Sequence, residues 1–199
     1  MKLSKKIFSL LPTLLIVCTL LLGCQSRSLV FQPAGGTWQD NVYTNRQVGI
    51  TFVKPEGFRL AAFPKAATSP ASYRDFLLIN DDGLTAIELI YYNISTGTYR
   101  NYTTEDYRNS LLTAMRLLYP YDQSPFYSLR DEEKEAIIAQ ADYSVLHRYV
   151  SDYIYTNYQW YQDLYIRRLP EALVVFSLTY DEESREVISD FLASIAKFE

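Results

Sequence analysis

The run Leu173-Val174-Val175-Phe176-Ser177-Leu178 is nearly continuous apolar, and it constrains the fold more than any other stretch. A strand with apolar side chains on both faces must be covered on both sides, so it belongs at the centre of a sheet with layers above and below it. The rest of the pattern supplies those layers. Val48, Ile50 and Phe52 alternate with Gly49, Thr51 and Val53 and stop at Pro55-Glu56-Gly57, which predicts a strand. Residues 61–74 hold Ala, Pro, Ser and Lys and predict a loop. Phe76 to Ile79, then Asn80-Asp81-Asp82-Gly83, then Thr85 to Tyr92 predicts a β-hairpin, since Asp-Gly favours left-handed turn geometry.

Helical periodicity appears twice. Thr103 or Thr104 can cap a helix that carries Glu105 and Asp106 near its positive end, with Tyr107, Leu111, Leu112, Met115 and Leu118 on one face before Pro120. A second helix is expected to start at Asp181 or Ser184, with Val187, Ile188, Phe191, Leu192, Ile195 and Phe198 as its apolar stripe. Between the two, Asp131 to Gln140 fits either a short helix or a loop leading into a strand. Three strands follow, at roughly 141–150, 157–168 and 172–180. In the middle one, Tyr158, Trp160, Leu164 and Ile166 share a face, while Gln159, Asp163 and Arg167 lie opposite with Tyr161 and Tyr165. Short turns between strands imply a mainly antiparallel sheet, covered by two amphipathic helices. The expected class is an α+β sandwich.

The first residues have a different character. Lys2, Lys5 and Lys6 precede an apolar run from Ile7 to Leu22, which ends in Leu21-Leu22-Gly23-Cys24. Charge, apolar core and a small residue before the cut read as an export signal rather than a spanning helix. Leu-Leu-Gly-Cys resembles the lipobox of bacterial lipoproteins. That resemblance implies cleavage after residue 23, diacylglycerol on the thiol of Cys24, and an extracytoplasmic domain held on a bacterial membrane by its acyl chains. Residues 24–37, with Ser26, Ser28, Pro33, Gly35 and Gly36, read as a tether. Residues 38–199 form a single domain. Residues 24–199 hold all 23 acidic residues and 16 of the 19 basic ones, a formal charge of −7. A basic footprint for nucleic acid is absent. With Cys18 leaving in the signal and Cys24 lipidated, the domain has no thiol for a disulfide, a nucleophile or a metal.

The opening Trp38-Gln39-Asp40-Asn41-Val42-Tyr43-Thr44-Asn45, followed by Val48 to Pro55-Glu56-Gly57-Phe58, resembles the PsbP/Mog1-like group. There a tyrosine and an asparagine precede a short strand that ends in Pro-x-Gly and an aromatic. The strand and helix from Leu173 to Phe198 follow the same order. The resemblance covers residues 38–199 and implies an accessory protein that binds a larger partner rather than an enzyme. It carries over no catalytic or binding residue, because the matching positions are turn and core residues.

The remaining chemistry is sparse. His147 is the single histidine and lies in an expected strand, with Asp163 or Asp142 as a partner. It lacks the second histidine of common zinc sites and a serine in a nucleophile elbow. Asp81-Asp82-Gly83 reads as a turn, not a calcium loop, because the acidic spacing and distal glutamate are missing. Glu132-Glu133 with Glu135, and Glu182-Glu183 with Glu186, are expected at helix starts. No glycine-rich phosphate loop is present, so no cofactor, metal or catalytic residue is expected. Asn93-Ile94-Ser95 and Asn101-Tyr102-Thr103 match a glycosylation pattern by accident in a bacterial chain.

The least generic feature is tyrosine, 18 in all, with seven between Tyr143 and Tyr165. Tyrosines favour half-buried sheet faces, and they also suit protein interfaces and sugar stacking. Tyr153 and Tyr155, in an expected turn, and Tyr161 and Tyr165, on the more polar strand face, are the candidate contact residues. The expectation is a monomeric, non-catalytic envelope lipoprotein that binds a protein partner. The alternative is a module for carbohydrate or cell-wall glycan that works through exposed tyrosines.

Overall fold

The computed structural model describes residues 33, 35–62, 71–118, 127–152 and 158–198, all within the unit Phe31–Glu199. Cys24, Tyr153 and Tyr155 lie outside the described residues. Eleven strands and two α-helices are formed among them, and every strand pairing is antiparallel.

Strands β1 (Thr37–Gln39), β2 (Val42–Asn45) and β3 (Ile50–Val53) make a small sheet, completed by β11 (Ala196–Lys197) beside β3. The other strands form a seven-stranded sheet: β4 (Phe58–Leu60), β5 (Ser72–Asn80), β6 (Ala86–Asn93), β7 (Tyr127–Ile138), β8 (Ala141–Asp152), β9 (Tyr158–Arg168) and β10 (Ala172–Tyr180). Their order is β4-β5-β6-β10-β9-β8-β7. The apolar run 173–178 occupies the middle strand, β10, where every residue from Ala172 to Leu178 is buried.

Alternation along the strands sends side chains to two cores. On one face, Leu78, Leu89, Tyr143, Tyr165, Val174 and Phe176 pack with Phe52 of the small sheet and with Ile188 and Phe191 of helix α2 (Arg185–Ser194). On the other, Leu146, Leu164, Ile166, Leu173 and Val175 pack with Tyr107 of helix α1 (Thr104–Leu118). Trp38, Tyr43, Phe52 and Phe76 interlock with ring centroids 4.7–5.8 Å apart, mostly tilted or edge-on. Such pairs add about 1 kcal/mol each beyond the area they bury.

A buried polar knot joins the small sheet to the large one. Asn45 Nδ2 donates to Asp75 Oδ2 at 2.9 Å and to the Tyr91 hydroxyl at 2.7 Å, while its Oδ1 accepts from the Val48 amide at 2.9 Å. Tyr43 donates to the same Asp75 oxygen at 2.5 Å, and the Gly36 amide donates to it at 2.8 Å. Asn45 and Tyr43 have no exposed surface. Asn45 belongs to the opening pattern Tyr43-Thr44-Asn45, and here it links three strands. Gly36 is needed because a Cβ there would collide with the Tyr43 ring.

Several expectations are met and several need correction. Thr103 caps α1: its Oγ1 accepts from the Asp106 amide at 3.1 Å, and Asp106 accepts in return from the Thr103 amide at 2.9 Å. The Asn80–Gly83 hairpin turn forms, with Gly83 at a φ of +77°. Ser184 precedes α2, but Val187 is exposed and Ile195 lies past the helix end. The loop expected through residue 74 gives way to strand at Ser72, and β4 was not foreseen.

The largest correction is β7. Asp131 to Ile138 is neither helix nor loop but most of a twelve-residue strand that pairs along its length with β8, and only Ala139 and Gln140 lie outside it. Glu132, Glu133 and Glu135 therefore sit on a strand, not at a helix start. The β7–β8 turn consists of Ala139 and Gln140, both at positive φ, +50° and +64°. A two-residue turn of this kind is usually built from Asn-Gly, because other side chains are strained there.

Two stability outcomes follow. Replacing Ala139-Gln140 by Asn-Gly should raise stability in urea unfolding by about 1 kcal/mol. Asn45→Ala removes hydrogen bonds to Asp75, Tyr91 and the Val48 amide and should lower it by about 3 kcal/mol; an unchanged midpoint would contradict the role given to the knot.

Candidate functional site

The single histidine stands in a cluster that three neighbouring strands and a helix start bring together. The β8–β9 register sets His147 directly opposite Asp163, and the next register step sets Tyr149 opposite Tyr161. The β9–β10 register sets Tyr161 opposite Tyr180. Directly opposed residues in an antiparallel pair share a face, so all five side chains project from one side of the sheet. Glu182 and Arg185, at the entrance to α2, close over them.

Asp163 is the hub. Its Oδ1 meets His147 Nδ1, and its Oδ2 accepts from the Tyr180 hydroxyl at 2.8 Å. An ionised carboxylate can only accept, so the imidazole turns an Nδ1–H toward it. Asp163 is only 8 % exposed, so its charge relies on these two donors. The alternative partner, Asp142, lies opposite Ile137 on the other face of the sheet.

Tyr161 is the aromatic centre. His147 stacks at 5.7 Å with 22° between the planes, and Tyr180 at 5.4 Å with 23°. Tyr149 tilts against it at 5.1 Å, and the Arg185 guanidinium lies 4.5 Å from its centroid. Its hydroxyl donates to Glu182 at 2.7 Å, and Glu182 also pairs with Arg185 at 2.9 Å. Hydrogen bonding to Glu182 and partial burial raise the phenol above its ordinary value of 10.0. Burial, followed by the Asp163 charge, raises Tyr180 further and pushes Tyr165 up to about 12.

The candidate tyrosines thus separate. Tyr161 is half-buried within this cluster. Tyr165, expected on the more polar face of its strand, is instead 9 % exposed and packs in the larger core with Tyr143, because that face is covered by the small sheet and α2. The tyrosines from 143 to 165 therefore do not form one exposed patch among the described residues. Sugar stacking needs an open ring face, and Tyr161 has parallel neighbours on both β8 and β10. The sequence offers Asp163 as a partner for His147 but does not reveal that Tyr149, Tyr180, Glu182 and Arg185 join them; a period-two spacing in adjacent strands is the available signal.

In chemical terms, the arrangement fixes an imidazole and a phenol in one orientation each and presents them beside paired charges. Among the described residues no group of three or more metal-ligating side chains occurs, and no helix is long and apolar enough to cross a membrane.

No family model matches the chain, and no curated protein matches it in sequence. Solved structures to which the chain is similar include the solution structure of the cyanobacterial PsbP, CyanoP, from Synechocystis sp. PCC 6803, with a TM-score of 0.49 and 13 % identity over 84 % of this chain and 95 % of that one. A Bacteroides thetaiotaomicron VPI-5482 protein is similar with a TM-score of 0.42 and 11 % identity, over 84 % of this chain and 50 % of that one. LpqN, involved in cell envelope biogenesis of Mycobacterium tuberculosis, is similar with a TM-score of 0.39 and 11 % identity, over 75 % of this chain and 83 % of that one.

The buried phenols set a pH limit. Tyr43, Tyr91, Tyr107 and Tyr180 are all raised above 10.0, chiefly by burial, so they ionise at higher pH folded than unfolded. Their contribution to stability is complete below pH 10 and is lost as pH climbs towards their folded values. An alkaline titration should show these phenolates appearing together with loss of tertiary circular dichroism; their appearance in a still-folded protein would contradict the burial.

Proposed function

We propose that the chain is a lipid-anchored extracytoplasmic protein, without catalytic activity, whose domain binds another protein of the cell envelope. The address rests on Leu21-Leu22-Gly23-Cys24 after a lysine-led apolar run. The observation that carries the binding role is the half-exposed stack of His147, Tyr149 and Tyr161 on paired strands, with Arg185 of α2 against it.

Tyrosine and arginine dominate the energetic centres of protein interfaces. They bring large contact area with polar tips, and here the Glu182 and Asp163 hydrogen bonds hold them in place before any partner arrives. Side chains already ordered lose little entropy on binding, which favours affinity. The surplus of acidic residues points to a partner with a basic or polar contact surface.

Two outcomes test this. Cys24→Ser should move the protein from the membrane fraction to the soluble fraction, and mass spectrometry of the wild type should find acyl chains on Cys24. Pull-down from detergent-solubilised envelopes should recover one defined protein, with recovery about tenfold lower for a folded Tyr149→Ala/Tyr161→Ala variant. Repeated empty pull-downs, or equal recovery by that variant, would overturn the reading.

A further inference from the structure

We propose that the outer edge of β7 accepts an extended, basic segment of the partner as an added strand, an inference that rests on the partner-binding reading above and names the partner's chemistry. β7 is the last strand of the seven-stranded sheet and, among the described residues, pairs with β8 alone. Its twelve residues span about 40 Å, whereas β4 at the opposite edge has three residues. Along such an edge alternate N–H and C=O groups point away from the sheet and can hydrogen-bond another chain.

Charge decides what that chain is. Residues 130–135, Arg-Asp-Glu-Glu-Lys-Glu, hold four carboxylates against two cations. Lys134 is already spent on Glu132 at 2.8 Å, and Arg108 of α1 reaches both Glu133 and Glu105. Farther along, Glu135 faces the same side as Asp142, with Ile137 opposite Asp142. Ile137 is 75 % exposed, the most exposed of the large apolar side chains described. Glu135, Ile137 and Asp142 line a groove of about 660 Å³ together with Thr104 at the start of α1 and with Arg167 and Arg168 of β9 at its inner end. A strand laid along β7 would set basic residues against Glu133 and Glu135 and an apolar residue against Ile137. On the opposite face it would lie beside Glu132, the register neighbour of His147, and so extend the aromatic surface. A second copy of β7 would bring the same excess of carboxylates, which disfavours self-pairing.

The test uses the full chain in detergent micelles and a synthetic peptide of alternating lysine and valine as long as β7, with a glutamate–valine peptide as control. The basic peptide should slow hydrogen exchange at alternate amides of β7 and leave the β4 edge unchanged. Its affinity should fall about tenfold when salt rises from about 0.05 to 0.5 M, and about tenfold again in Glu133→Lys/Glu135→Lys. No slowing at β7, equal binding of both peptides, or β7 protection by dimerisation in sedimentation would each overturn the inference. Exchange is read on the wild type, so misfolding of the variant does not blunt the test. A partner that binds wild type and variant equally sinks strand addition alone; peptide protection with no recoverable envelope partner sinks the partner reading alone.

Discussion

Asn45 makes the contact on which the two sheets depend. Its amide hydrogens reach Asp75 and Tyr91 while its carbonyl takes the Val48 amide, so one side chain joins β2, β5, β6 and the β2–β3 turn. Without that link, the small sheet would meet the large one through apolar contact, which has no direction, and through the remaining hydrogen bonds from Tyr43 and Gly36 to Asp75 and from Arg167 to the Val48 carbonyl. A hydrogen-bonded knot in a dry interior has one low-energy arrangement, and a carboxylate at its centre makes any other arrangement costly. The position of Trp38, Tyr43 and Phe52 over Phe76 is set by that choice, and the covering that buries Tyr165 comes with it.

The same logic of buried acid with aromatic donors recurs at Asp163. There the carboxylate faces one core but reaches the half-exposed His147, and Tyr180 donates from the central strand. The two knots divide the work between them. Around Asp75 the Tyr43 and Asn45 donors are fully buried, and the result is architecture. Around Asp163 one donor looks outward, and the result is a surface whose geometry is inherited from the interior.

What could be read in the chain was whatever local pattern determines. The bounds of β8, β9 and β10, the Asp82-Gly83 hairpin and the Thr103 cap follow from periodicity, turn chemistry and capping within a few residues. β7 escaped because its turn, Ala139-Gln140, lacks the glycine or asparagine that normally marks such a bend, and because Asp131 to Glu135 carries the charge run of a helix surface. Pairing with β8 overrides that local preference. His147 left two partners open, and register decides between them: Asp163 stands directly across, whereas Asp142 has the opposite parity on the same strand. The Asn45–Asp75 link spans thirty residues, a distance at which no spacing rule operates. Tyr165 was misplaced for a related reason. Alternation tells that it shares a face with Tyr161, but not that Tyr165 is buried in the larger core while Tyr161 is only partly covered.

β11 has a temporal consequence. The small sheet begins with Thr37 yet is completed only when Ala196 and Lys197 align with β3 and the Phe198 amide reaches the Gly49 carbonyl. A chain that emerges amino end first from a ribosome cannot latch this sheet until residues 196–198 arrive. The earliest strands wait for the latest, and closure of the small sheet reports that its carboxyl-side strand has been delivered.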